Sequence, residues 1–220
     1  MTDQDENQGR YRYYLNGDLA EIDETWQCER LPCGQFNVRS SRKVSGLTID
    51  VQATVGAVGT RACKVSWSAT GRPVIAASYE VDGDRIAFMR SVGPDATHNS
   101  SHLPVLNGAS VLYPLMRVFT GPAIRQIAEQ GGEGTVLVPS ISSPDHAESL
   151  LLPDISTRAV TALGECQLTK MNGEAVNCTL WQFVGGQYGN EARFWLNEND
   201  LLQRYCWDQS DSVRWDVHLA

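Results

Sequence analysis

Positive charge is scarce in this chain and never clustered. Against 26 Asp and Glu stand 18 Lys and Arg, a formal net charge of −8 over 220 residues. Proteins that grip phosphate backbones need a basic stripe, so nucleic acid is excluded as a partner. Long apolar runs are missing as well. None approaches the roughly 20 residues a membrane-crossing helix requires, so no membrane span is expected. The opening residues Met1-Thr2-Asp3-Gln4-Asp5-Glu6 have neither the basic start nor the apolar centre of a secretory signal. Residues 1–9 read as a solvated, disordered tail, and the expected compartment is the cytoplasm. The six cysteines form no C-x-x-C pair and complete no zinc pattern. Reduced thiols are expected there, although Cys28 and Cys33, on either side of Pro32, leave a local disulfide open. G-x-S-x-G, P-loop, H-E-x-x-H and Rossmann signatures are all missing. The glycine-rich run from Val184 to Gly189 precedes no helical pattern and reads as a hairpin loop. No metal, nucleotide, flavin or other cofactor is expected.

What the chain has instead is alternation. Asn16-Gly17 is a strong hairpin signal, because both residues tolerate positive φ. Leu47, Ile49, Val51, Ala53 and Val55 alternate with polar residues, the pattern of a half-buried strand. Similar patterns predict seven strands up to about Phe88. Ser91 to Ala109 has no periodicity and reads as a long loop. Ser110 then suggests an N-cap, with Val111, Leu112, Leu115, Met116 and Phe119 at helical spacing. Gly121-Pro122 should break this helix before a second one that ends at Gly131-Gly132. Strands resume with Thr135 to Pro139 and, after an irregular stretch from Ser140 to Pro153, continue to Leu219.

About twelve strands exceed what a flat open sheet accommodates, since twist makes such sheets curl. The expected fold is therefore mainly β (α+β): a highly curved antiparallel sheet, or half-barrel, with a central helical insertion packed in its concavity. Residues 10–220 should form a single domain, the insertion covering about residues 110–131. The order of meander, helix and returning meander resembles the LolA and LolB kind of curved-sheet lipoprotein carrier. So does the closing run Phe194-Trp195-Leu196, Leu201 to Tyr205 and Trp215-Asp216-Val217. That resemblance implies a hydrophobic cavity able to take an acyl chain or a similar ligand. The signal peptide and lipobox cysteine of those carriers are not recognised here.

Glu24 shares its parity with Ala20, Ile22, Trp26 and Cys28, an otherwise apolar face. A carboxylate held there would be desolvated and suited to general acid–base work. Alternatively, a β-bulge shifts the parity and Glu24 faces water. His98 lies in the first long loop, where an imidazole could close over a pocket or sit idle in solvent. Asp145 and His146, side by side in the second irregular stretch, could tune one another. Arg117, inside the helical run, is expected either to snorkel outward or to be paired inside. Arg158 and Tyr79 are further candidates for holding a ligand oxygen. Trp181 and Phe183 belong to an aromatic-rich C-terminal part that could line a pocket or simply pack.

The leading expectation is a cofactor-independent isomerase or lyase, acting by acid–base chemistry on a small hydrophobic terpenoid or aromatic metabolite. Glu24, His98, Asp145 and His146 would be its catalytic groups; Tyr79, Arg117, Arg158, Trp181 and Phe183 would contact the substrate. The alternative is a carrier that binds a lipid or other hydrophobic ligand without changing it. Nothing in the pattern opposes a homodimer.

Overall fold

A computed structural model describes residues 7–82, 85–93, 99–104, 110–141 and 145–220. Its strands are β1 (Gln8–Leu15), β2 (Asp18–Arg30), β3 (Phe36–Val44), β4 (Leu47–Gly56), β5 (Gly59–Ala69), β6 (Ile75–Asp82), β7 (Arg85–Val92) and β8 (Asn99–Pro104). After them come β9 (Ser110–Leu112), β10 (Glu133–Pro139), β11 (Pro153–Thr169), β12 (Ala175–Val184), β13 (Arg193–Leu196), β14 (Leu202–Ser210) and β15 (Val213–Leu219).

These strands form one sheet, ordered β8-β7-β6-β5-β4-β3-β2-β1-β15-β14-β13-β12-β11-β10-β9. Each half is an antiparallel meander, except that β9 lies parallel to β10. The halves join through the first and last strands, with Tyr13 opposite Val217. The edges, β8 and β9, therefore belong to the middle of the chain. Between β9 and β10 a single 3-10 turn (Arg117–Phe119) leads into helix α1 (Thr120–Glu129). α1 packs against β5 of one half and against β9, β10 and β11 of the other, so both halves of the curled sheet contact it. The expected curved sheet around a helical insertion is thus observed. Among the described residues no helix is long and apolar enough to cross a membrane.

Alternation sets the inner face. Tyr11, Tyr13, Trp26, Val38, Ile49, Val51, Val65, Trp67, Ile75 and Ile86 are buried in one core with the helix and the opposite half. Their neighbours in sequence, such as Arg12, Thr25, Arg39, Asp50 and Lys64, face solvent.

Four expectations need correction. Ser110 does not cap a helix: Ser110–Leu112 is a strand, with Val111 paired to Val136. A short apolar run suits a buried strand as well as a helix, and here pairing to β10 decides. Gly121-Pro122 does not divide two helices. Both residues sit in the first turn of the one helix, where proline's missing N–H costs little. Gly121 is needed for a different reason: a Cβ there would lie 1.6 Å from the Asp200 carbonyl oxygen, so the helix rests directly on backbone of the β13–β14 turn. The expected loop after Ser91 contains edge strand β8, and β1 starts at Gln8, inside the expected tail.

Candidate functional site

Glu24 faces inward on β2 and is fully buried, as its parity indicates. Its neighbour Thr25 is exposed, so no bulge reverses the alternation here. On β3 Val38, Ser40 and Arg42 share a parity, and Arg42 lies directly opposite Glu24. The Arg42 guanidinium donates to Glu24 Oε2 from Nε at 2.7 Å and approaches it from Nη2 at 2.6 Å. Tyr13, an inward residue of β1, donates its hydroxyl to the same oxygen. The other oxygen, Oε1, accepts the backbone N–H of Arg117 at 2.6 Å. Arg42 also donates to the Leu115 carbonyl at 3.0 Å, where the chain bends through a positive φ of 67°. Glu24 and Arg42 thereby tie the first three strands to the segment entering α1.

Burial works against the Arg42 charge, but attraction to Glu24 and their hydrogen bond outweigh it and push its pKa up. Burial also pushes the Tyr13 hydroxyl well above its usual range, with Arg42 opposing in part, so Tyr13 is a neutral donor.

Arg117 belongs to the same cluster and is buried. Its Nη1 donates to the Tyr188 hydroxyl at 2.7 Å and to the Tyr113 hydroxyl at 3.4 Å. The Tyr205 ring lies beneath the guanidinium at 4.5 Å. Burial raises the Tyr113 and Tyr205 hydroxyls, with Arg117 as the largest opposing influence on each. Arg158 is a second buried guanidinium, 5.4 Å from the Phe183 ring centre and 5.9 Å from that of Tyr113.

A tight glycine turn builds this corner. Gly185 and Tyr188 exchange backbone hydrogen bonds of 2.9 and 3.2 Å, and the Tyr188 ring is buried in the core. The turn presses on Arg158: a Cβ on Gly186, whose φ is 62°, would stand 2.9 Å from Arg158 Nη2. Glycine suits both that dihedral and that approach.

The structure therefore brings Glu24 and Arg117 together, with Arg158 beside the adjoining Tyr113 and Phe183 beside Arg158. The other nominated residues lie elsewhere. Tyr79 donates to the Leu151 carbonyl at 2.6 Å, while Arg90 holds the Leu150 carbonyl at 2.7 Å and also that of Ala147. Both residues pin down the second irregular stretch. Asp145 is exposed and pairs with Arg72 at 2.8 Å; His146 is exposed and meets Glu148 at 3.2 Å. These two sequence neighbours thus have separate partners. Trp181 is half-buried at the margin of the core, opposite Phe194. His98 lies outside the described residues. No cluster that could hold a metal ion occurs among the described residues.

Sequence reasoning missed Tyr13, Arg42 and Tyr113, and held Tyr188 and Tyr205 only among the C-terminal aromatics that could line a pocket or simply pack. Parity along β1 and β3 would have placed Tyr13 and Arg42 on the inner face. No periodicity signals Tyr188, which lies in a turn.

Open space occurs next to this cluster. A cleft of about 730 Å³ separates α1 from the rims of both halves of the sheet. Trp26, Val38, Val55, Val118 and Phe119 give it an apolar floor, and Arg125, Glu129, Lys170, Glu174, Glu198 and Asp200 give it a charged rim with four carboxylates against two cations. Phe36 and Val58, at 40% and 56% exposure, stand uncovered along it. Two lining residues, Trp26 and Gln126, each carry a buried polar atom without a hydrogen-bond partner among the described residues. A wider recess of about 1130 Å³ spans the outer face, along the cross-strand row Thr25, Ser41, Asp50 and Ser66. A polar outer face is ordinary for an antiparallel sheet with one side on the core. Comparison of the chain with protein-family models, curated proteins and solved structures finds no match.

Proposed function

We propose that this protein binds a small amphipathic hydrophobic molecule in the cleft beside α1 and carries it without chemical change. The observation supporting this most directly is the cleft itself: about 730 Å³ of space with an apolar floor and a charged rim. Sites for small molecules are commonly about 300–1,000 Å³, and the cleft falls in that range. The carrier reading also draws on the resemblance to LolA and LolB proteins. Six unbridged cysteines are in keeping with a reducing compartment such as the cytoplasm.

An isomerase or lyase working through Glu24 finds less support. A general acid or base must reach a proton on the substrate, yet both Glu24 oxygens are taken up by Arg42, Tyr13 and the Arg117 N–H. Asp145 and His146 sit at the surface, each with a partner of its own.

The test is a titration with the neutral dye Nile red, followed by displacement with dodecan-1-ol and mass spectrometry of the recovered alcohol. Saturable binding is expected, with Kd of about micromolar order, and the alcohol should return unaltered. Ala57 is an exposed lining residue, so Ala57→Trp should obstruct the cleft without disturbing the core. Binding that survives Ala57→Trp at unchanged affinity would refute the cleft as the site. A chemically converted ligand would instead favour the lyase or isomerase reading.

A further inference from the structure

The buried cluster carries more positive charge than its carboxylate can match. Glu24 is matched by Arg42 at 2.6 Å. Arg117, only 8% exposed, has tyrosine hydroxyls and tyrosine rings for side-chain partners, and its Nε has none among the described residues. Arg158, 6% exposed, has the Ser156 hydroxyl as its hydrogen-bond partner, at a long 3.5 Å. Tyr113 adjoins both guanidiniums. Arginine keeps its charge in proteins, and a buried charge facing only neutral groups disfavours the fold unless something compensates it.

The position of this surplus relative to the cleft is informative. Val118 and Phe119, the residues directly after Arg117, line the cleft, as does Trp26. Along β2 the next residue of the same parity as Trp26 is buried Glu24, about 7 Å further on. On β3 the same series passes from the lining residue Val38 through Ser40 to Arg42. The cationic cluster thus stands behind the apolar floor of the cleft, with Trp26 at the boundary. The Trp26 ring lies so close to Gly9 that a Cβ there would be 2.7 Å from its Nε1, and that nitrogen has no hydrogen-bond partner among the described residues. No such bond of the indole therefore opposes a shift of this ring.

We infer that the ligand is an amphipathic acid whose carboxylate is received by Arg117, with the Tyr113 and Tyr188 hydroxyls and Arg158 completing the anion subsite. This rests on the cleft being the ligand site. The apolar tail occupies the cleft, and the head passes the Trp26 ring to the unmatched guanidinium. A carboxylate there supplies the missing negative charge and an acceptor for Nε, where a charge-assisted bond in a dry environment is strong.

The experiment compares dodecanoic acid with dodecan-1-ol, which share one tail, by calorimetric titration and by quenching of tryptophan fluorescence. The acid should bind at least about tenfold more tightly, a difference of about 1.4 kcal/mol. Arg117→Gln should bring the two within about twofold of each other, the acid-to-alcohol ratio and not either affinity being the readout. Should that variant not fold, Arg117→Lys retains a cation but loses the Nε donor, and a reduced preference is expected. Equal binding of acid and alcohol by the unaltered protein overturns the inference while leaving the cleft as the ligand site. A preference that persists undiminished in the folded Arg117 variant overturns it too. If neither compound binds, the cleft reading fails and takes the anion subsite with it.

Discussion

Replacing Glu24 by glutamine would show how much of the structure depends on a single carboxylate. The exchange conserves volume and removes the charge. Glu24 Oε2 accepts from Arg42 and Tyr13, while Oε1 accepts the Arg117 N–H at 2.6 Å. An amide can still accept that N–H, but its NH2 then faces the donors of Arg42. The largely buried Arg42 guanidinium would lose its anion, next to an Arg117 guanidinium that has only tyrosines around it. Breaking a buried pair on one side costs about 3–5 kcal/mol, against a typical total stability of about 5–15 kcal/mol. For a domain of this size each kcal/mol lowers Tm by about 2–4 °C, so a fall of roughly 6–20 °C is expected. Urea denaturation should show a lower midpoint at unchanged slope, the mark of lost stability in an otherwise similar transition. Adding Arg42→Gln should restore part of the loss, because it removes one stranded cation. A loss below about 1 kcal/mol, or a double variant as unstable as the two singles summed, would refute the pairing argument. Full stability combined with abolished turnover of a ligand would return Glu24 to the role of an acid or base.

Three other perturbations follow from specific contacts. Gly121→Ala places a Cβ against the Asp200 carbonyl and should cost about 1–3 kcal/mol through overpacking; an unchanged denaturation midpoint would mean the helix does not rest on that turn. Tyr79→Phe strands the Leu151 carbonyl, now bonded at 2.6 Å, at about 1–3 kcal/mol, and limited proteolysis around Leu151 should become faster. Partial burial opposes ionisation of Asp216, but hydrogen bonds from His218 and Arg204 bring its carboxyl down to about 2. A carboxyl lowered on folding stabilises the protein fully above its unfolded pKa of about 3.9 and loses that contribution as the pH falls through the folded value. After discounting for its partial exposure, about 1–2 kcal/mol should disappear between about pH 5 and pH 2. Asp216→Asn should flatten that acid limb, and an unchanged limb would remove Asp216 as its cause.

The sheet was legible because one of its faces is buried and the other wet, which writes period two into β4, β5 and β6. The inward aim of Glu24 was legible for the same reason. Its partners were not. Arg42 and Arg117 lie 18 and 93 residues away in sequence, and alternation says which face a residue takes but not which strand curls over it. β9 was misread because Val111, Leu112 and Tyr113 are all buried, and a run apolar on every side has no periodicity to separate strand from helix. Tyr188 enters the core from a turn closed by Gly185, where the rules of strand and helix faces do not apply.

An open sheet of this width has a geometric freedom that smaller sheets lack. Hydrogen bonding between neighbouring strands leaves the overall degree of curl loosely defined, and apolar contacts between the two halves can slide. The polar cluster restricts that freedom. Tyr13, Glu24 and Arg42 come from β1 to β3, Arg117 from the turn before α1, Tyr188 from the β12–β13 turn and Tyr205 from β14. Hydrogen bonds link Glu24 to Arg42, Tyr13 and Arg117, and Arg117 to Tyr188, and each is directional where apolar packing is not. A curl wider or tighter by a few ångströms would leave buried charges unbonded, at a cost of several kcal/mol. On this reasoning the same side chains that fix the curl also fix the width of the cleft beside α1, so substitutions at Glu24 should alter ligand affinity through shape, without any contact to the ligand.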